Sequence, residues 1–240
     1  MNRRLATKEG DSKDMVDARR QFQATDNYEP VARQLVADIQ HALENPSKKS
    51  LNLLDIGAGP GYYSAYIVSQ LSQVTTISGL AMDNSPYALR RAAKVSRVIG
   101  AVQTDAWQTY PLPDSSIDIC INVFAPRNPA EIARVLKPDG HLLIVTPSPG
   151  HLGQLVEEFG LLTIDASKDN RLESQLRQFK RINRASLNYS IELSPADTLN
   201  IIMMGPSARH INIEKLISDI GQEQKRTVTI AVNVDSYQTI

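Results

Sequence analysis

Three glycines at alternate positions, Gly57, Gly59 and Gly61, end the stretch Leu53-Leu54-Asp55-Ile56-Gly57-Ala58-Gly59-Pro60-Gly61. The apolar run from Leu51 to Ile56 reads as a buried strand, and a helical pattern from Tyr62 to Leu71 begins at once. Strand, tight turn and helix N-terminus in that order let backbone N–H groups approach a ligand closely, because glycines remove the side chains that would block it. Asp55 closes the strand and can hold the turn or a cationic group. A second apolar strand within residues 74–85 ends in Asp83-Asn84. That is about 20 residues beyond the glycines, where a carboxylate can hydrogen-bond both hydroxyls of a ribose. A third acid, in Gln103-Thr104-Asp105-Ala106, follows the apolar stretch Val98 to Val102 and can accept from an adenine amino group. The chemistry these residues share is the grip on a nucleoside.

A glycine loop, a ribose acid and an adenine acid at the ends of three successive strands describe a class I S-adenosyl-L-methionine (SAM) methyltransferase. The spacing is G-x-G-x-G, not the G-x-G-x-x-G of dinucleotide sites. The expected cofactor contacts are Asp55, Gly57, Gly59, Pro60, Gly61, Asp83, Asn84, Asp105 and Ala106. Methyl transfer from a sulfonium is an in-line displacement, so the enzyme mainly aligns donor and nucleophile. No residue stands out as a catalytic base. The acceptor pocket is expected beside Phe124, Ala125, Pro126 and Arg127, with Phe124 placed to stack on a flat substrate and Pro126 to stiffen the loop. Arg19 and Arg20 could reach a phosphate or a carboxylate from the upstream segment. A solvated basic helix face explains them equally well.

The elements that must position these residues alternate. Ser12 is a cap for a helical register through Met15, Ala18, Arg19 and Phe22, and Pro30 opens an amphipathic helix through Val31, Leu35, Ile39 and Leu43. Strands are expected at 51–56, 75–82, 98–103, 117–123 and 141–146, and helices at 62–72, 86–96, 129–135 and 151–159. Such alternation implies a doubly wound α/β fold, Rossmann-like, with a mostly parallel sheet and the ligand at the carboxyl ends of its strands. Residues 167–178 read as a charged helix or loop, and 182–193 as a strand. Ser194-Pro195 caps a helix, and 227–235 is a last strand, antiparallel at or near an edge. The division expected is an N-terminal helical lid, 1–48, and a SAM-binding domain, 49–240.

Of the 240 residues, 42% are apolar, enough for a full core, and 26 basic residues balance 26 acidic ones. Neutrality counts mildly against RNA binding by charge alone. The single cysteine, Cys120, lies in an apolar strand and reads as a buried small hydrophobe, so neither a disulfide nor a cysteine-based zinc site can form within the chain. No apolar run follows the basic start, and none is long enough to span a membrane, so a cytoplasmic protein is expected.

Four stretches carry a more specific likeness. They are Gly10-Asp11-Ser12-Lys13-Asp14-Met15 with Ala18-Arg19-Arg20-Gln21-Phe22 and Tyr28-Glu29-Pro30; Leu54 to Tyr63; Val123-Phe124-Ala125-Pro126 with Glu131 to Gly140; and Thr146-Pro147-Ser148-Pro149-Gly150-His151-Leu152. Together they resemble the bacterial 23S rRNA (guanine-N1)-methyltransferases, a group that includes housekeeping and macrolide or tylosin resistance enzymes. The resemblance spans about residues 10–155. It implies methylation of guanine N1 in 23S rRNA, and it adds Tyr28 and His151 to the SAM contacts. It also implies an N-terminal zinc module, whose ligands this sequence lacks. Met204-Gly205-Pro206 stands where the family usually has Met-Thr-Pro.

Three functions remain open on sequence. An rRNA methyltransferase would show a basic rim, from Arg3, Arg4, Lys8, Arg177, Lys180, Arg181 and Arg184. A small-molecule methyltransferase that lost the zinc module would enclose an apolar pocket near Met203 and Met204. A non-catalytic SAM-binding partner protein would pair an intact loop with a blocked acceptor pocket. A homodimer is compatible with all three.

Overall fold

A computed structural model describes residues 10–43, 50–162, 174–222 and 224–240. Two helices come first, α1 (Lys13–Gln23) and α2 (Glu29–Ala42). Ser12 caps α1 by accepting from the Met15 N–H, and Pro30 sits in the first turn of α2, where its missing N–H costs nothing. The alternating core follows: β1 (Ser50–Ile56), α3 (Tyr62–Leu71), β2 (Thr76–Asp83), α4 (Pro86–Ala92), β3 (Ile99–Gln103), β4 (Ile117–Val123), α5 (Pro129–Val135), β5 (Leu136–Pro147) and α6 (Gly153–Phe159). The chain ends in β6 (Phe179–Leu193), α7 (Pro195–Met203), a short 3-10 turn, α8 (Ile213–Ile220) and β7 (Arg226–Thr239).

The seven strands lie in the order β3-β2-β1-β4-β5-β7-β6. β1 to β5 are parallel, and β7 runs antiparallel to both β5 and β6. The expected fold class is therefore the observed one. Neighbouring residues feed opposite faces: Leu53 and Leu143 join a core with Phe22, Val31, Leu35 and Ile39 of the first two helices, whereas Leu54 and Leu142 join Met82, Ile132 and Tyr237. Every residue of β4 is buried, as expected of a central strand covered on both sides. Cys120 is one of them.

Several boundaries differ from expectation. The helix after Ser85 stops at Ala92. α6 starts at Gly153 because Gly150 and Leu152 both take left-handed backbone, which makes His151 part of a turn. β5 and β7 are longer than their apolar cores, and α8, capped by Asn212, was not foreseen. The last strand is antiparallel and near an edge as expected, one in from it, with β6 outside. Most of 167–178 and the proposed boundary at 48 fall outside the described residues, as do Arg3, Arg4 and Lys8.

One consequence of the register shapes the cleft. β7 pairs with β5 only from Gln238 to Val232, yet its pairing with β6 continues from Asn188↔Ala231 to Leu193↔Arg226. This two-stranded ribbon overhangs the carboxyl end of the sheet. The Tyr189 hydroxyl donates to the Asn27 carbonyl (2.9 Å), tying the ribbon to the α1–α2 turn.

Candidate active site

The strand order reverses between β1 and β4, so a crevice opens at their carboxyl ends. The glycine turn fills its floor. Gly57 has φ +71°, and a Cβ there would lie 2.3 Å from the Ala125 Cβ, so only glycine lets this turn pass under the loop after β4. The Gly57 and Ala58 N–H groups both donate to the Met82 carbonyl (2.8 and 3.0 Å), which locks the turn to the end of β2.

Asp83 sits at that strand end. One of its oxygens accepts from the Gly59 N–H (2.9 Å) and the other from the Ser85 N–H (2.7 Å). A carboxylate has further lone pairs, so it can still receive ribose hydroxyls. Partial burial raises its pKa, and the two N–H bonds oppose that rise. The upstream segment packs against the same corner. The Ser85 hydroxyl donates to the Asp11 carbonyl (2.6 Å), and a Cβ on Gly10 would lie 2.6 Å from the Ser85 nitrogen.

Asp105 follows β3 and accepts from the Trp107 N–H (3.0 Å), in a local turn that leaves the Trp107 indole largely exposed beside it. Asn84 lends its carbonyl to the Gln103 side chain (3.0 Å), and the Ala106 carbonyl accepts from the Tyr110 hydroxyl (3.1 Å). These contacts join the ends of β2 and β3 into one rim.

An aromatic arc closes the other side. Phe124 has φ +53°, a conformation uncommon outside glycine, which turns its ring out of the end of β4 with 41% of its surface exposed. The ring stacks on His151 (centroids 5.8 Å apart, planes 28° apart) and meets Tyr28 at 5.9 Å, and Tyr28 packs edge-on to Phe22. His151 Nδ1 accepts from the Ala231 N–H (3.2 Å), which assigns the proton of the neutral ring to Nε2 as a donor. Burial pushes the His151 pKa down to about 4, so the ring is neutral at ordinary pH. Tyr28 is buried, and desolvation raises its phenol pKa far above the usual range. Buried oxygens without a hydrogen-bond partner among the described residues include Tyr63 Oη and, at the carboxyl end of β5, Thr146 Oγ1.

Two expected site residues turn inward. Asp55 is buried and accepts from the Ser64 hydroxyl, so it fastens β1 to α3 rather than facing a ligand, and burial pushes its pKa up to about 7. The Arg127 guanidinium folds back, donating to Asn122 Oδ1 (2.7 Å) and the Ala125 carbonyl (3.2 Å) instead of lining the acceptor pocket. A third, Arg19, lies against the glycine turn: its Nη1 is 3.3 Å from the place a Gly59 Cβ would occupy. Pro126 is exposed, and its carbonyl accepts from Asn122 Nδ2 (3.1 Å). That asparagine was missed by sequence reasoning. It is fully buried, and it also donates to the Ile56 carbonyl (3.1 Å), clasping β1 to β4 at the crevice. An Asn near the carboxyl end of a largely apolar strand, which also holds Asp118, was the signal available.

Three residues of the expected basic rim lie in β6. Lys180 and Arg181 pair with Gln238 and Tyr237, level with His141 and Leu142 and well short of the carboxyl end of β5. Arg184 is spent on the buried Asp235 (2.6 Å).

Comparison with known proteins settles the family. The Methyltransferase domain family matches residues 54–144. The 23S rRNA (guanine(748)-N(1))-methyltransferase of Streptomyces fradiae is 34% identical over 88% of this chain and 74% of its own length. A candidate 23S rRNA (guanine-N(1)-)-methyltransferase of Micromonospora griseorubida is 36% identical over 96% of this chain and 81% of its own.

The chain belongs to the 23S rRNA (guanine-N1)-methyltransferase family.

This family member is a class I methyltransferase, and its cofactor is SAM. Solved structures share its fold at low identity. The YcgJ protein of Bacillus subtilis superposes with a TM-score of 0.52 at 16% identity, covering 83% of this chain and 98% of its own. A geranyl diphosphate methyltransferase does so at 0.53 and 14%, covering 88% and 78%. Among the described residues no helix is long and apolar enough to cross a membrane, and no group of three or more His, Cys, Asp or Glu could hold a metal ion.

Proposed function

We propose that this methyltransferase modifies N1 of a guanine in 23S rRNA. The observation that carries the reading is the Phe124 ring, held out by left-handed backbone at the switch point and stacked on His151. It offers a flat exposed face to a base at the crevice where the glycine turn lies. The substrates named for both relatives support the same acceptor.

In this reading SAM supplies an electrophilic methyl group. The Gly57–Gly61 turn and Pro60 cradle the nucleoside, Asp83 with Asn84 takes the ribose, and Asp105 with Ala106 takes the adenine. His151 donates from Nε2, and Tyr28 covers the methionine arm. Phe124 and Pro126 would hold the guanine with N1 facing the methyl group; as the N1–C bond forms the sulfonium S–C bond breaks, S-adenosylhomocysteine leaves, and the N1 proton passes to solvent. The helices within 1–48 act as a lid on the domain 49–240. An rRNA substrate places the work in the cytoplasm. The test is primer extension on 23S rRNA treated with the protein and SAM, because a methyl on N1 blocks base pairing. A new SAM-dependent stop at one guanine is expected. Its absence on both naked rRNA and ribosomal particles would overturn the reading.

A further inference from the structure

We propose that Arg19 is a cofactor residue whose guanidinium takes the carboxylate of the SAM methionine arm. The inference rests on the placement of SAM in the glycine turn.

Position is the first argument. Arg19 Nη1 stands over Gly59 on one side, while Asp83 holds the Gly59 N–H from the other. A cation and an anion therefore flank one residue of the turn. A ribose diol calls for the anion, and the only part of SAM that calls for a cation is its carboxylate.

Charge is the second. The other ionisable groups described around the turn do not offer that cation. Asp11, Asp55, Asp83 and Asp105 are acids, His151 carries no charge at neutral pH, Arg127 is turned back onto Asn122, and Arg209 is turned to the Gly10 carbonyl beside Asp11. Bringing a carboxylate to this rim without a cation would place it among acids.

Preorganisation is the third. α1 is fixed by the buried side chains of Met15, Val16, Ala18 and Phe22. The Arg19 fork is aimed by Asp11 at Nη1 and by the Met204 carbonyl at Nη2 (2.7 Å). A guanidinium carries five N–H donors, so these two bonds leave donors for an incoming carboxylate. Arg209 braces the same corner by donating to the Gly10 carbonyl (3.2 Å). Lysine would supply the charge without the fork.

The test needs no acceptor, so its failure is distinct from failure of the rRNA reading. Calorimetry compares S-adenosylhomocysteine with its decarboxylated counterpart, which lacks only the carboxylate. The proteins are the parent chain, Arg19→Lys and Arg19→Gln. The parent should prefer the carboxylate-bearing ligand by roughly 10- to 100-fold, the range of a charged hydrogen-bonded contact. Arg19→Gln should erase that preference while binding the decarboxylated ligand as the parent does, and Arg19→Lys should retain part of it. Two results would overturn the proposal. One is a preference that survives in Arg19→Gln. The other is an equal loss for both ligands, which would make Arg19 a strut of the lid.

Discussion

Alanine at position 57 damages the cofactor turn in two separable ways. The backbone there has φ +71°, which costs an L-residue about 1–2 kcal/mol. The new methyl also lands 2.3 Å from the Ala125 Cβ, far inside the ordinary carbon contact of about 3.5–4 Å. Relieving such an overlap costs about 1–3 kcal/mol. Gly57→Ala should therefore lose about 2–5 kcal/mol, a Tm drop of roughly 4–20 °C for a chain of this size. Gly160→Ala isolates the first effect: φ is +61°, and nothing lies within 4 Å of the added methyl. It should lose only about 1–2 kcal/mol, roughly 2–8 °C. The assay is paired thermal unfolding and S-adenosylhomocysteine calorimetry. Gly57→Ala should weaken binding at least about tenfold, because the turn and the Ala125 loop must separate, while Gly160→Ala leaves it unchanged. Equal Tm losses in the two variants, with parental affinity in Gly57→Ala, would refute the argument.

Four further outcomes follow from the geometry. Asn122→Ala removes three hydrogen bonds, a buried one to Ile56 and half-buried ones to Pro126 and Arg127, and should cost about 2–4 kcal/mol by urea denaturation. The Asp55 carboxyl is raised from 3.8 to about 7, so its contribution to stability is full below about 4 and is lost as pH rises to 7; the Tm of Asp55→Asn relative to the parent should climb between about pH 4 and 7 and level off above. His151 works in the opposite sense: lowered from 6.5 to about 4, its contribution is full above 6.5 and lost as pH falls toward 4, so His151→Gln should flatten that acid limb of the Tm profile. Phe124→Ala should cut methyl transfer roughly 5- to 100-fold, the worth of one base stack, while S-adenosylhomocysteine affinity measured alongside stays within about threefold.

The parts of the site written into local sequence were legible. The glycine turn, Asp83 and Asp105 each follow an apolar run, and strand ends of a parallel sheet converge whatever the loops do. Tyr28 and His151 became visible only through resemblance, since nothing in the spacing brings a residue before β1 and one after β5 to the same ring of Phe124. Long-range geometry decided the rest. Asp55 finds Ser64, and Arg127 finds Asn122, because a buried polar group must be satisfied by whatever lies nearest. Arg19 reaches Gly59 through the packing of α1, which no local pattern encodes. The alternation in β6 and β7 predicted two strands but not their order, and the order decides that the ribbon overhangs the crevice while Lys180 and Arg181 stay away from it.

Methylation of 23S rRNA is measured by transferring labelled methyl from SAM in cell extract, then separating RNA, protein and small molecules. Label is expected in 23S rRNA, released by nuclease digestion as 1-methylguanosine. Label confined to a small molecule or to protein, or no label despite tight SAM binding, would contradict it.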